Sequence, residues 1–319
     1  MESTQLKVRI VRKAVEATDI VSLELAAPDG GRLPGFSAGS HIDLEVRPGL
    51  VRQYSLCNDP GETHRYLIGV LRDPASRGGS AAVHDELAEG QVVNISAPRN
   101  HFPLVPAAQS LLFAGGIGIT PILCMAERLA QSGADFVLHY CARSVDRAAF
   151  LERIRASGFA ERVHLHFDDG DAAQKLALGA VLDGAAADAH LYVCGPGGFI
   201  DFVTQGAQAR GWAGERVHFE YFAGQQIDTS GDGEFDVKLA SSGKVVTVLP
   251  GKTVVQALRA AGVEIEVSCE QGVCGTCLTR VLDGAPDHRD NFLSDEEKAV
   301  NDQFLPCCSR ARGLLVLDL

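Results

Sequence analysis

Four cysteines near the end of the chain have a spacing that suits one kind of chemistry. Cys269 is followed by four residues and Cys274, then by two residues and Cys277, and Cys307 comes after 29 intervening residues. A C-x4-C-x2-C loop closed by one distant cysteine is the ligand pattern of a [2Fe–2S] centre, which moves electrons singly. Three close thiolates require a loop that folds around the metal, and Gly272 and Gly275 let the backbone approach inorganic sulfide and donate N–H bonds to it. Buried thiols, disulfides and zinc are the competing readings of a chain with nine cysteines. Zinc sites usually pair two separated C-x2-C units, and without an export signal thiolate ligation is the better default. Cys308 adjoins Cys307 and is the alternative fourth ligand; the spacing favours Cys307.

A second group of residues suits anions and nucleotides. Gly115-Gly116-Ile117-Gly118-Ile119-Thr120-Pro121 follows a predicted buried strand and opens a helix, with Thr120 suited to the N-cap and Pro121 to the first helical position. Free N–H groups and the dipole at such a helix start hold pyrophosphate. The spacing is not the GxGxxG fingerprint of the common dinucleotide fold. Cys194-Gly195-Pro196-Gly197-Gly198 repeats the arrangement at the end of a later strand, so both turns can face one crevice beyond the strand ends. Arg77-Gly78-Gly79-Ser80 is a further phosphate candidate, although a plain surface turn reads the same way. Arg52-Gln53-Tyr54-Ser55-Leu56 lies on a predicted strand, where alternation puts Arg52, Tyr54 and Leu56 on one side and Gln53 and Ser55 on the other. Taken alone, that segment is ordinary packing.

The elements that must position these residues fall into three rhythms. Residues 6–12, 20–26, 41–46, 51–57, 65–72 and 91–96 read as short strands separated by Gly and Pro turns, which predicts a small antiparallel barrel over residues 1–105. From 106 to 224 buried strands at 110–114, 136–141, 163–167 and 191–194 alternate with helical stretches at 120–131, 146–157 and 197–209, which predicts an α/β domain with a parallel sheet. Residues 223–234, AGQQIDTSGDGE, are polar and lack periodicity, as a linker does. The third domain, 225–319 with the linker, has a hairpin around Ser242-Gly243, a helix at 253–261, strands at 278–283 and 314–318, and a short helix that starts at the capping-box pair Ser294 and Glu297.

Bulk properties exclude several classes. A formal net charge of −12 with no dense basic stripe gives nucleic acid nothing to bind. No run reaches the roughly 18 apolar residues of a membrane span, and the polar start lacks a signal-peptide core, so a soluble cytoplasmic protein is expected. Residues 225–319 hold 15 acidic and 9 basic side chains, net −6, which reads either as a solvated face or as a docking surface for a basic partner.

In this order, RQYSL, RGGS, GGIGITP, CGPGG, Phe219-Glu220-Tyr221-Phe222 and the cysteine motif ending in CCSRA resemble the class IA reductases of bacterial Rieske oxygenase systems, the phthalate dioxygenase reductase and vanillate demethylase reductase family. The resemblance covers essentially the whole chain. It implies an FMN-binding β-barrel, an NADH-binding α/β domain and a plant-type ferredoxin domain of β-grasp fold. It further implies that Arg52, Gly78, Gly79 and Ser80 contact flavin phosphate, and that Gln53, Tyr54, Ser55, Gly69, Val70, Leu71, Thr120 and Phe222 surround the flavin. Gly115, Gly116, Gly118, Thr120, Cys194, Gly195, Pro196 and Gly197 are the implied nicotinamide nucleotide contacts. Arg143 and Ser144 follow the second strand of that domain, where the adenosine ribose is expected; they suit a 2′-phosphate, whereas the family usually prefers NADH. Ser55, Thr120 and Cys194 are the candidates at the flavin–nicotinamide contact.

The implied activity is hydride transfer from NADH to FMN, followed by single-electron passage through the [2Fe–2S] cluster to a terminal Rieske-type oxygenase. Hydride transfer needs no general acid or base, so the ten histidines carry no catalytic presumption. Cys57, Cys124 and Cys141 read as core residues. An FAD-containing NADH:acceptor reductase and a flavin/iron–sulfur redox sensor are the alternatives.

Overall fold

The computed structural model describes residues 5–74, 78–222, 224 and 229–319. The chain divides into two compact units, residues 1–222 and 223–319.

The first unit opens with strands β1 (Gln5–Ala17), β2 (Ile20–Ala26), β3 (Ser40–Arg47), β4 (Leu50–Ser55), β5 (Tyr66–Leu71) and β6 (Val92–Ser96), with a two-residue β7 (Arg99–Asn100). They form one antiparallel sheet in the order β4-β3-β6-β1-β2-β5, with β7 on β3. Just past β4, Leu56 bridges Ile68 of β5 and closes the sheet on itself. Alternation explains the interior: Val8 and Ile10, Leu23 and Leu25, Ile42 and Leu44, and Ile68 and Val70 all turn inward. Helix α1 (Gly79–Glu86), which the strand pattern did not reveal, crosses between β5 and β6.

Strands β8 (Gln109–Gly115), β9 (Asp135–Ala142), β10 (Val163–Phe167), β11 (His190–Cys194) and β12 (Val217–Glu220) make a wholly parallel sheet in the order β10-β9-β8-β11-β12. Helices α2 (Ile119–Ser132) and α3 (Leu151–Arg155) pack on one face, α4 (Leu178–Asp183) and α5 (Gly197–Gln208) on the other. Ile20, Ala38, Cys57 and Phe102 from the barrel side join Ile122, Met125 and Leu138 in one apolar core. Barrel and parallel sheet are therefore held together by burial.

Two local expectations are corrected. The stretch 146–157 is α-helical only from Leu151 to Arg155, after a 3-10 turn at Val145–Arg147, because Phe150 is left-handed, with φ 63°, and that turn drives its ring into the core against Gly69. Helix α2 is capped by Gly118 rather than Thr120, since a 3-10 turn at Gly116–Gly118 runs straight into Ile119. The Thr120 hydroxyl instead donates to the Ile117 carbonyl at 3.0 Å.

The second unit contains β13 (Phe235–Leu239), β14 (Val245–Val248), β15 (Thr279–Asp283), β16 (Pro286–Asp287), β17 (Gln303–Phe304), β18 (Arg310–Ala311) and β19 (Leu315–Leu317). Its main sheet, β14-β13-β19-β15-β17, mixes one parallel pair with antiparallel ones. Helix α6 (Val254–Ala260) lays Val254 and Leu258 on the sheet's core, the β-grasp arrangement. Full capping boxes start α6 at Thr253 and α7 (Asp295–Val300) at Ser294, each contributing about 1 kcal/mol. Part of the 223–234 segment lies outside the described residues. Its end is not free linker: the Asp232 carboxylate bridges Arg289 and Arg310.

Candidate active site and cluster site

Strand β4 ends at Ser55 because its backbone then leaves the ladder to bridge β5, and this bend aims Ser55 away from the barrel core that takes Leu56. Arg52, on the same strand, lies across the start of α1: a Cβ on Gly79 would stand 2.4 Å from Arg52 Nε. Gly78 has φ 84° and turns the chain into the helix. Ser80 Oγ accepts from the Asp73 N–H at 3.1 Å. A guanidinium, a glycine turn and a helix start thus meet, the grouping that the family resemblance implied; Arg77 lies outside the described residues. The Gln53 amide nitrogen is buried with no hydrogen-bond partner.

On the nucleotide side, the two glycine turns touch. A Cβ at Gly118 would fall 2.2 Å from the Cys194 carbonyl oxygen, and one at Gly195 would fall 2.9 Å from Gly115 Cα. Only glycine lets these backbones approach. Gly69 of β5 faces the same junction, with Thr120 Cγ2 2.9 Å and Phe150 Cζ 3.0 Å from where its Cβ would be. The barrel strand and the first glycine turn therefore abut.

Glu220, part of the Phe219-Glu220-Tyr221-Phe222 segment, is central to the geometry. It ends β12 opposite Cys194, and burial pushes its carboxyl up to about 8 while the neighbouring Ser55 hydroxyl pulls it back. Its Oε2 is buried without a partner. Burial, reinforced by Glu220, holds the Cys194 thiol well above its ordinary range, so it stays protonated. Phe222, two residues on, is exposed. Arg143 is exposed just past β9, and the Ser144 hydroxyl donates to the Asp146 carboxylate.

In the second unit the cysteines converge. Cys269, Cys274, Cys277 and Cys307 are each less than 9 % exposed. Sulfur contacts tie Cys269 to Cys274 and Cys307, and Cys307 to Cys277 and to Cys308. Gly272 and Gly275 have φ 72° and 70°, the left-handed turns that fold the loop, and the Gln271 N–H donates to Cys269 Sγ at 3.3 Å. Among the described residues no three His, Cys, Asp or Glu surround a single ion position; a two-iron cluster asks instead for two pairs of thiolates on separate irons.

Orphaned buried polar atoms beside Ser55, a glycine cradle under Arg52, and two glycine turns at the carboxyl ends of parallel strands fit a flavin and a dinucleotide. Four converging thiols with N–H donors fit a [2Fe–2S] cluster. Together they define a class: a modular oxidoreductase joining pyridine nucleotide, flavin and iron–sulfur chemistry.

Residues 237–312 match the 2Fe-2S iron-sulfur cluster binding domain family. The chain is 56 % identical over 316 residues to a vanillate O-demethylase oxidoreductase of Pseudomonas sp. (strain HR199 / DSM 7063), covering 98 % of this chain and 100 % of that protein. It is 58 % identical to one from Pseudomonas putida, covering 97 % and 98 %. The solved structure of phthalate dioxygenase reductase, described as a modular structure for electron transfer from pyridine nucleotides to [2Fe–2S], superposes with a TM-score of 0.79 at 39 % identity, covering 99 % and 98 %. The curated protein of that name is from Burkholderia cepacia. The chain belongs to this family of oxygenase reductases. Among the described residues no helix is long and apolar enough to cross a membrane.

Proposed function

We propose that this chain is the reductase component of a two-component Rieske-type O-demethylase, taking hydride from NADH onto FMN and passing electrons through its [2Fe–2S] cluster to a terminal oxygenase. Bound flavin supplies what no side chain can, exchange between an electron pair and single electrons. The carrying observation is the close approach of Gly69 on the barrel to Thr120 of the first glycine turn, where a Cβ on Gly69 would stand 2.9 Å from Thr120 Cγ2, which brings the flavin strand to the glycine turns.

The residues act by holding and excluding. Arg52 and the start of α1, at Gly78, Gly79 and Ser80, hold the flavin phosphate. Gln53, Tyr54, Ser55, Thr120, Phe222 and the Gly69–Leu71 backbone enclose the ring system. Gly115, Gly116, Gly118, Gly195, Pro196 and Gly197 let the dinucleotide lie close to the backbone, and the protonated Cys194 offers a neutral wall beside the nicotinamide. Burial keeps Glu220 protonated beside the Ser55 hydroxyl. Asp146, tied to Ser144 and Thr18, fits a ribose diol and repels a 2′-phosphate, which favours NADH.

Cys269, Cys274, Cys277 and Cys307 ligate the cluster. The vanillate-directed relatives support a vanillate-type demethylase as the partner, reached through the acidic second unit in the cytoplasm. Replacing Cys274→Ser tests the order of carriers: NADH-driven cytochrome c reduction disappears while flavin reduction survives. Retained cytochrome c reduction overturns that order, and release of FAD rather than FMN on denaturation overturns the flavin assignment.

A further inference from the structure

Asp290 is a carboxylate with no exposed side-chain surface, and burying such a group is costly unless every lone pair has work. Its Oδ2 accepts from the N–H groups of Phe292 at 3.2 Å and Leu293 at 2.8 Å. Its Oδ1 accepts from the Ser309 hydroxyl at 3.4 Å. Ser309, fully buried, in turn accepts from the Arg289 N–H at 3.1 Å. That acceptance orients the hydroxyl proton toward Asp290. Lys298 Nζ donates to the Asp290 carbonyl at 2.8 Å.

These bonds join three segments around the thiols. The Asn291 N–H donates to the Gly272 carbonyl at 3.0 Å, and a Cβ at Gly272 would stand 3.1 Å from Asp290 Cα and 2.5 Å from Cys308 Sγ. The cysteine loop, the 289–293 turn and the segment after Cys307 are thus pinned to one another. The pinned segment is a tight turn, with the N–H groups of Cys308 and Ser309 both donating to the Leu305 carbonyl, at 3.2 and 2.9 Å. Within it Cys307 contacts Cys269 and Cys277 as well as its neighbour Cys308, and Cys308 Sγ lies 3.7 Å from the Leu305 carbonyl and 3.7 Å from Ser309 Oγ.

We propose that Asp290, acting through Ser309, is a positioning residue that selects Cys307 over Cys308 as the fourth cluster ligand. This rests on the reading of the four cysteines as the cluster cage. Fixing a ligand through its outer partners is the usual way a protein sets a metal site's geometry. Without the clamp, rotation of the 305–309 turn brings Cys308 to the iron, one thiolate replacing another with no change in cluster charge.

The test uses full-length holoprotein, reduced with dithionite and read by electron paramagnetic resonance, with visible circular dichroism of the oxidised form. In the wild-type background Cys308→Ser leaves g values and cluster content unchanged. Asp290→Ala and Ser309→Ala each shift the g values, and adding Cys308→Ser to either shifts them again or lowers cluster content at least twofold. Wild-type spectra in both single variants, insensitive to Cys308→Ser, overturn the proposal. So does loss of the cluster from Cys308→Ser alone. Ser309→Ala, which leaves the Phe292 and Leu293 bonds intact, decides the matter if Asp290→Ala does not accumulate. Absence of any [2Fe–2S] signal in wild type is a different failure, that of the cage reading itself.

Discussion

Ser55, at the end of a barrel strand, lies beside Glu220, at the end of the last strand of the parallel sheet, near enough to pull its carboxyl back toward the charged form. Burial lifts the Glu220 carboxyl to about 8, above its ordinary value near 4.5, so the fold prefers the protonated form. Its stabilising contribution is full below pH about 4.5 and is lost as pH rises through about 8. We expect stability of the wild type, relative to Glu220→Gln, to fall across that window by up to about 1.4 kcal/mol per pH unit. Urea midpoints at several pH values check this; parallel curves refute it.

Gly118 admits no side chain. In Gly118→Ala the new Cβ meets the Cys194 carbonyl at 2.2 Å, and the atom it meets is backbone, which cannot swing aside. We expect a loss of about 1–3 kcal/mol in stability and a fall in NADH-driven flavin reduction of more than about tenfold. Dithionite still reduces both centres. Stopped-flow traces with the two reductants separate the effects.

Arg52 spans Gly79 at the start of α1. Removing a charged donor to phosphate costs about 1.5–3 kcal/mol, so Arg52→Ala weakens FMN binding by roughly 10- to 100-fold. Fluorescence titration of the flavin-stripped protein measures it. Unchanged affinity removes Arg52 from the site.

Asp146 accepts from Ser144 and Thr18, which hold its carboxyl below the usual range. Asp146→Ala removes that charge from the proposed ribose site. A gain of about tenfold in kcat/KM for NADPH, about 1.4 kcal/mol, with little change for NADH is the expected outcome of steady-state assays.

The chemistry that was legible in sequence lay where a function demands residues at fixed offsets. The cysteine spacing named its cluster directly, and the glycine turns announced a meeting that the Gly118–Cys194 and Gly115–Gly195 contacts realise. Ser294 and Glu297 marked their helix because a capping box is a local device. Glu220 and Asp290 carried no such signal. One acquires its role when β12 lies beside β11, the other when residues 272 and 309 fold onto 290, and neither neighbour is near in sequence. The expected helix at 146–157 is cut short for a related reason: Val145–Arg147 forms only a 3-10 turn, and burying the Phe150 ring against Gly69 outweighs local propensity.

Anaerobic titration with NADH, followed by visible absorption, tests the electron path most directly. A flavin that takes two electrons and a cluster that takes one should consume about 1.5 NADH per chain, bleaching both the flavin and the iron–sulfur bands. An endpoint near one NADH with the cluster bands unchanged would mean that no path leads from the flavin to Cys269, Cys274, Cys277 and Cys307.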